Sequence, residues 1–518
     1  MRQKGYSSVG YAHVTFGKAS LIMNEHVDIA IIGSGFAGIG AAVRLQQAGF
    51  DDYVVLERAD DVGGTWRDNS YPGCACDVPS HLYSFSFAPN PEWTRSFSPQ
   101  PEIWAYLRRV ADEHGVTART RLRTEVLDAA WDEDSGVWQI ETTAGDLTAR
   151  VLIAGFGGLA EPKLPAVPGI ERFPGTIFHS AQWDHEHDLT GERVAVIGTG
   201  ASAIQFVPQI QPRVKELHLF QRTAPWVMPR SDRPLTKVEH FLFKHLPFTQ
   251  RLARAGIYWA RESMVIGMAG EPRLLKGLQL LGKRFLRQSI KDPDLRRRVT
   301  PGYTIGCKRI LISNDYLPAL DRPNVDVIGS GLSEVRGNVV VGADGSEREV
   351  DTIILGTGFY VTDSPMAQRV RGADGRSLAD VWEGSMQAHR GTTVAGFPNY
   401  FHLVGPNTGL GHNSIVFMIE SQLNYVVGAL RAMQHEGAHS CAVDAGAQAR
   451  YNERVQRAME GTVWMAGGCA SWYIDKQGRN TTLWPGFTFR FRELTRTFDR
   501  EHYELRPAPV REREEVYA

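Results

Sequence analysis

The sequence predicts an α/β chain of two doubly wound, three-layer domains, the second carrying a helical insertion. Three observations predict it. Two glycine fingerprints each lie between a short apolar strand and a helix-compatible run. The composition, 42% hydrophobic and 22% charged, is that of ordinary globular domains. The 518 residues suit two to four such domains. Several classes fall away at once. Lys and Arg number 57 against 58 Asp and Glu, so no basic excess marks a nucleic-acid binder. No run of roughly 18 apolar residues occurs, so no membrane-spanning helix is expected. Five cysteines are too few for a disulfide scaffold, and their odd number points to a reducing, cytoplasmic setting. Residues 1–23 lack the apolar core and cleavage site of a secretory signal and are expected to be an extension outside the fold.

Residues 27–32 (VDIAII) read as a buried parallel strand. Gly33-Ser34-Gly35-Phe36-Ala37-Gly38 follows, and 39–47 has helical spacing. The first glycine allows the turn, the second lets backbone approach a pyrophosphate, and the third permits close helix–strand packing. The pyrophosphate is then met by the helix N-terminus. Residues 53–56 form the next strand, and Glu57, 24 residues after Gly33, can accept hydrogen bonds from a ribose diol. The pattern recurs at 193–197 (RVAVI), Gly198-Thr199-Gly200-Ala201-Ser202-Ala203, a helix over 204–210 that includes Gln205, and a strand over 216–221. Here the residue 24 positions after the first glycine is Arg222, followed by Thr223. A guanidinium suits a 2′-phosphate that a carboxylate would repel, so this second site should prefer NADPH to NADH. Two Rossmann-type dinucleotide sites of opposite charge suggest a flavin enzyme reduced by a nicotinamide. Gly63-Gly64-Thr65-Trp66 looks like a loop continuing along FAD, and Phe36, Tyr83 and Asp77 complete the FAD-side candidates.

Between the fingerprints lies Phe173-Pro174-Gly175-Thr176-Ile177-Phe178-His179-Ser180-Ala181-Gln182-Trp183-Asp184. This F-x-G-x-x-x-H-x-x-x-W-D run resembles the fingerprint of type I Baeyer–Villiger monooxygenases. The related flavin-containing monooxygenases carry a similar motif without the Trp-Asp ending. Tyr71-Pro72-Gly73-Cys74-Ala75-Cys76-Asp77, Cys307-Lys308-Arg309, Gly396-Phe397-Pro398-Asn399 and Gly405-Pro406-Asn407 resemble further family segments. The likeness spans about residues 24–500. It implies that FAD and NADPH serve to insert one O2-derived oxygen next to a ketone carbonyl. The family reaction passes through a C4a-peroxyflavin and yields an ester or lactone, sometimes also a sulfoxide. The alternative is a flavin-containing monooxygenase oxidising nitrogen or sulfur.

By the same resemblance, Arg309 is the catalytic arginine and Asp77 the carboxylate that holds it. A permanently protonated guanidinium suits a developing oxyanion. Lys308 would help Arg222 grip the 2′-phosphate, and Trp472 would donate to the nicotinamide ribose. Phe173, Gly175, His179, Trp183 and Asp184 are the hinge motif, with no proton transfer assigned to His179. Cys74, Cys76 and Cys307 are expected to be packing thiols. A flavin disulfide reductase would need a redox-active Cys pair at other spacing. His185-Glu186-His187 is expected not to bind metal, since adjacent loop residues seldom converge on one ion.

The FAD domain should run over 24–160 and resume over 351–500, with the NADPH domain at 165–345 and a C-terminal tail at 501–518. The crossings are 152–164 and 356–359, and the resemblance makes 351–359 (DTIILGTGF) the return to the FAD domain. A helical insertion at about 235–300 is expected to cover the substrate side, with membrane contact the less favoured reading of its mixed apolar and basic residues. The partners implied are a small-molecule ketone or thioether and O2, with oligomeric state left open.

Overall fold

A computed structural model describes residues 25–509. The expectation for residues 1–23 lies outside these, as does the second half of the predicted tail, 510–518. The first sheet has its parallel centre in Leu147–Ala154, Glu25–Ile32, Tyr53–Leu56 and Thr120–Arg121. Tyr400–His402 pairs with the far half of Leu147–Ala154. Val137–Thr142, Val126–Asp132 and Val370–Arg371 extend the sheet on that side. Ile29, Ala30 and Ile31 are fully buried, as a strand covered on both faces requires. The Phe36–Ala48 helix begins on the glycine turn and ends at Gly49, whose φ of 88° gives the left-handed cap that glycine adopts freely. The Ile415–Glu436 helix packs against it, started by Ser414 Oγ accepting from the Val416 amide and ended at left-handed Gly437.

The second sheet is entirely parallel, in the order Val325–Ile328, Glu216–Phe220, Arg193–Ile197, Thr352–Leu355, Thr176–His179. This corrects the boundary at 351. The apolar strand Thr352–Leu355 is flanked on both sides by strands of the second sheet, so the return to the first domain comes after Leu355. The predicted tail is also corrected. Tyr503–Arg506 pairs antiparallel with Ser440–Val443, and Tyr503 is buried with its hydroxyl bonded to Thr393 and Tyr425.

The two linkers between the sheets run side by side. Pro162 bridges Phe359, the Lys163 amide donates to Gly358 O at 2.8 Å, and the Tyr360 amide donates to Glu161 O at 3.0 Å. Thr357 Oγ1 donates to Lys163 O at 2.5 Å. Their roots, Gly155 and Gly356, each donate an amide hydrogen bond to the last residue of a fingerprint strand, Ile32 and Ile197.

The insertion is helical: Lys237–His245, Pro247–Glu262, Leu275–Ser289 and Pro293–Arg298. Its starts are sequence-encoded. Thr236 and Glu239 form a reciprocal capping box, Pro247 opens the second helix, and Asp292 caps the last. Tyr258 stacks on Phe417 at 5.1 Å between ring centroids, and Gln250 Nε2 donates to Asn90 O, tying the insertion to the first domain.

Candidate active site

Both fingerprints form tight glycine turns. Gly33 has φ +90°, and a Cβ there would lie 2.9 Å from Gly155 O; one on Gly38 would lie 1.8 Å from Gly33 O. Gly63 donates its amide to Ser34 O at 2.9 Å, and a Cβ on Gly64 would lie 3.0 Å from Gly35 Cα. The G-G-T-W loop therefore rests directly on the phosphate turn. The Phe36–Ala48 helix has no side-chain cap at its N-terminus, which leaves its first amides for an anion. In the second fingerprint a Cβ on Gly198 would lie 2.4 Å from Gly356 O, while Gly200 faces open space. Thr199 Oγ1 donates to Thr223 O at 3.4 Å, Ser202 precedes the Ala203–Ile210 helix without capping it, and Ala203 is buried. These cradles, which side chains would fill, fit two pyrophosphates.

Glu57 closes its strand in a buried position. It accepts from the Ser34 amide at 2.9 Å, Ser34 Oγ at 2.6 Å and the Ala59 amide at 3.0 Å, and pairs with Arg67 at 3.1 Å. Burial pushes its carboxyl up, but Arg67 and the Ser34 hydrogen bonds outweigh this and hold it below the usual range. Arg67, absent from the sequence reading, is signalled only by standing directly after Trp66. Trp66 Nε1 donates to Tyr83 OH at 3.0 Å, and Phe36 meets Tyr83 edge-on at 5.1 Å, so Phe36, Trp66 and Tyr83 form one aromatic wall. Thr65 opens the short helix that carries Trp66.

Arg222 and Lys308 come together across the second domain. Lys308 Nζ lies 5.3 Å over the Tyr303 ring, and its ammonium is held below its ordinary pKa by burial and by the charge of Arg222. Neither has a carboxylate partner among the described residues. Two uncompensated cations make a setting that a phosphate dianion would relieve.

Arg309 and Asp77 form a bidentate pair. Arg309 Nε donates to one carboxylate oxygen at 2.5 Å and Nη2 to the other at 2.6 Å, while Nη1 reaches Leu410 O at 3.3 Å. The side chains remain 29% and 24% exposed, so the pair is not sealed from solvent. Burial raises the Asp77 carboxyl, but the Arg309 charge more than offsets this and leaves it below the usual range. Asp77 in turn holds the guanidinium above its ordinary pKa against burial, which alone would lower it. Arg261, from the insertion, donates to the Asp77 backbone oxygen at 3.1 Å, and nothing in the local sequence signals it.

Gln205 is placed differently from a free cofactor ligand. Its Nε2 donates to Ala75 O at 2.9 Å, and its Oε1 accepts from Tyr71 OH at 3.0 Å and the Ala75 amide at 3.3 Å. It latches the 71–77 loop of the first domain to a helix of the second. Trp472 is 50% exposed, its ring 4.4 Å from that of Tyr473, with no hydrogen bond to another site residue among those described.

The cysteine expectation is corrected at one position. Cys307 is bonded to Cys469, across 162 residues of chain. The turn at Thr304 donates its amide to Gly467 O at 3.0 Å, and Gly467 has no Cβ to keep Cys307 away, so a contact invisible to local spacing brings the sulfurs together. Cys74 and Cys76 are buried free thiols, and burial pushes Cys74 up to about 12, so neither supplies a ready thiolate.

The linker motif is built into the second sheet. His179 is buried, its Nδ1 accepts from the Ala181 amide, its ring meets Phe359 edge-on at 5.6 Å, and burial lowers its pKa. Trp183 packs between Phe178 and Phe206, at 5.0 and 5.3 Å. Asp184 Oδ1 accepts from the Glu186 amide. Phe173 is buried beside Gly175, where a Cβ would lie 2.1 Å from Asp351 O. His185 bonds Ser70, and His187 bonds Glu192 and Thr352, so the two histidines serve different contacts.

Comparison with known proteins adds the family context. Residues 30–241 match the family model described as pyridine nucleotide-disulphide oxidoreductase. A Baeyer-Villiger monooxygenase of Streptomyces coelicolor is 56% identical over 490 residues, 94% of each chain. One of Pseudomonas aeruginosa is 52% identical, covering 94% of this chain and 93% of the relative. Among solved structures, the OTEMO complex with FAD and NADP aligns with a TM-score of 0.83 at 27% identity, covering 92% of this chain and 99% of that one. The closed structure of cyclohexanone monooxygenase aligns with a TM-score of 0.82 at 25% identity, covering 94% and 100%.

Proposed function

The chain belongs to the Baeyer–Villiger monooxygenase family, and from that premise we propose that the Arg309–Asp77 pair polarises a ketone carbonyl at the seam of its two nucleotide-binding domains. It is an NADPH-dependent flavoprotein monooxygenase acting on a small molecule and O2. When bound, FAD and NADPH supply the hydride and the oxygen-activating chemistry. Glu57 would hold the FAD ribose, the Gly33–Gly38 turn its pyrophosphate, and Arg222 with Lys308 the 2′-phosphate of NADPH. No helix among the described residues is long and apolar enough to cross a membrane. A cytoplasmic setting, where NADPH is regenerated, fits this reading.

The observation that carries the proposal is the two-point ion pair. Asp77 and Leu410 O use three of the five N–H donors of Arg309, leaving two without a protein acceptor among the described residues. A fixed donor costs little reorganisation when negative charge develops on the ketone oxygen, because its dipoles are already aimed. Asp77 keeps the guanidinium protonated and oriented, and takes no proton itself. Gln205 presses the Asp77 loop onto the second domain, so the pair is held at the junction both cofactors must share. Cys74 and Cys76 are buried free thiols that burial keeps protonated, so neither supplies the thiolate a disulfide exchange would need.

The experiment is product analysis with purified enzyme, NADPH, O2, a ketone panel and a thioether. Esters or lactones from ketones are expected, and sulfoxide alone across the whole panel would refute the proposal. The Arg309→Ala variant should keep its FAD and lose oxygenated product by at least about 100-fold, the scale of one deleted oxyanion donor.

A further inference from the structure

The Leu275–Ser289 helix of the insertion buries one stripe and exposes another. Leu275, Gly282 and Leu286 face inward, with Gly282 so close that a Cβ there would lie 3.0 Å from the Trp226 ring. Outward stand Leu280 and Leu281, 64% and 57% exposed, with Leu274 at 61% just before the helix. These leucines play no part in the core: Leu274 and Leu281, seven residues apart, share one side of the helix, and Leu280 stands about 100° round it among the cations, so apolar and basic groups together make an exposed surface of the kind that marks an interaction site. Its surroundings are basic. Residues 272–289 hold Arg273, Lys276, Lys283, Arg284 and Arg287 and no carboxylate, in a chain of net charge −1. Arg273 reaches only Glu271, at 3.8 Å, and the other four form no ion pair among the described residues. Arg273, Lys276 and Lys283 line a groove of about 530 Å³ beside Leu280.

We propose that this face docks on the surface of an anionic lipid bilayer. The three leucines enter the boundary between headgroups and acyl chains, and the lysines and arginines meet lipid phosphates. Exposed leucines interspersed with unpaired Lys and Arg on the outer face suit a helix that lies in a membrane interface, where long basic side chains reach up to the headgroups as leucines enter the acyl boundary. The charge selects the partner. A second copy of this chain, seated by twofold symmetry, would bring the same cations against these. Phosphate-bearing lipid neutralises them while taking up the leucines. The sequence placed membrane contact second because helices that cover a site are the commoner use of such an insertion; the fold leaves Leu274, Leu280 and Leu281 exposed beside the cations.

The FAD-loaded, full-length protein is sedimented with phosphatidylcholine vesicles that contain or lack phosphatidylglycerol. Partition onto the phosphatidylglycerol vesicles alone is expected, weakened by high salt. Each cation removed should lower it about fivefold, so Lys276→Ala with Lys283→Ala should lower it about 25-fold. Leu280→Ser with Leu281→Ser should also release the protein. NADPH consumption without vesicles should be unchanged in both variants, which certifies their folding. Absence of binding, equal binding to both vesicle types, or undiminished binding by the variants would overturn the proposal. So would a dimer in light scattering that Leu280→Ser with Leu281→Ser disperses, since a second copy would then own the face.

Discussion

Arg222 and Lys308 are two cations brought together from distant parts of the chain with no carboxylate to answer them. A 2′-phosphate answers both, and a ribose hydroxyl answers neither. Arg222→Ala should therefore raise the KM for NADPH about 10- to 100-fold, the scale of one charge-assisted hydrogen bond, and leave the KM for NADH nearly unmoved. Steady-state kinetics with both nucleotides measures the split, and equal effects would remove Arg222 from the phosphate site. Residues of this kind were legible in the sequence because each stands at a fixed offset from a motif: Glu57 and Arg222 from their glycine turns, Asp77 and Arg309 within family segments. Arg67, Arg261 and the latching role of Gln205 were not, because their partners lie on other elements and no local pattern encodes the meeting. The Cys307–Cys469 bond escaped for the same reason.

At the scale of elements, the two glycines of the second fingerprint answer to different constraints. Gly198 has φ +110° and would place a Cβ 2.4 Å from Gly356 O, so Gly198→Ala must move backbone. Gly200 faces open space, so Gly200→Ala leaves the protein undisturbed and puts its methyl where the dinucleotide approaches. Both variants should weaken NADP+ binding at least about tenfold with FAD content unchanged, but only Gly198→Ala should lower the melting temperature. Nucleotide titration beside thermal unfolding separates the two, and an unaltered NADP+ affinity in Gly200→Ala would remove the fingerprint from the site. Strand–turn–helix units were legible because their hydrophobic pattern and glycines are local. Which sheet receives Thr352–Leu355, and that Tyr503–Arg506 pairs at all, depends on partners far along the chain.

At the scale of the whole molecule, buried histidines make stability depend on pH between about 4 and 6.5. His402 and His81 are each about 6% exposed, and burial lowers both to about 4 from an ordinary 6.5. Folded, they are neutral through that window; unfolded, they take up protons. Stability is therefore fully present above pH 6.5 and is lost as the pH falls toward 4, by on the order of 3 kcal/mol for each histidine. The melting temperature should drop over this range, and His402→Gln should make the drop shallower; an unchanged slope would show that His402 does not titrate with unfolding. The paired linkers set a different kind of limit. Cross-bonded along 161–163 and 358–360, they join the two lobes as a strap and not as two loose strings. A strap bends most easily across its thin direction, like the spine of a book, while the Arg309–Asp77 pair and the Gln205 latch hold the two lobes face to face. Because each end is anchored beneath a phosphate turn, whatever fills either turn bears on the spine of that book.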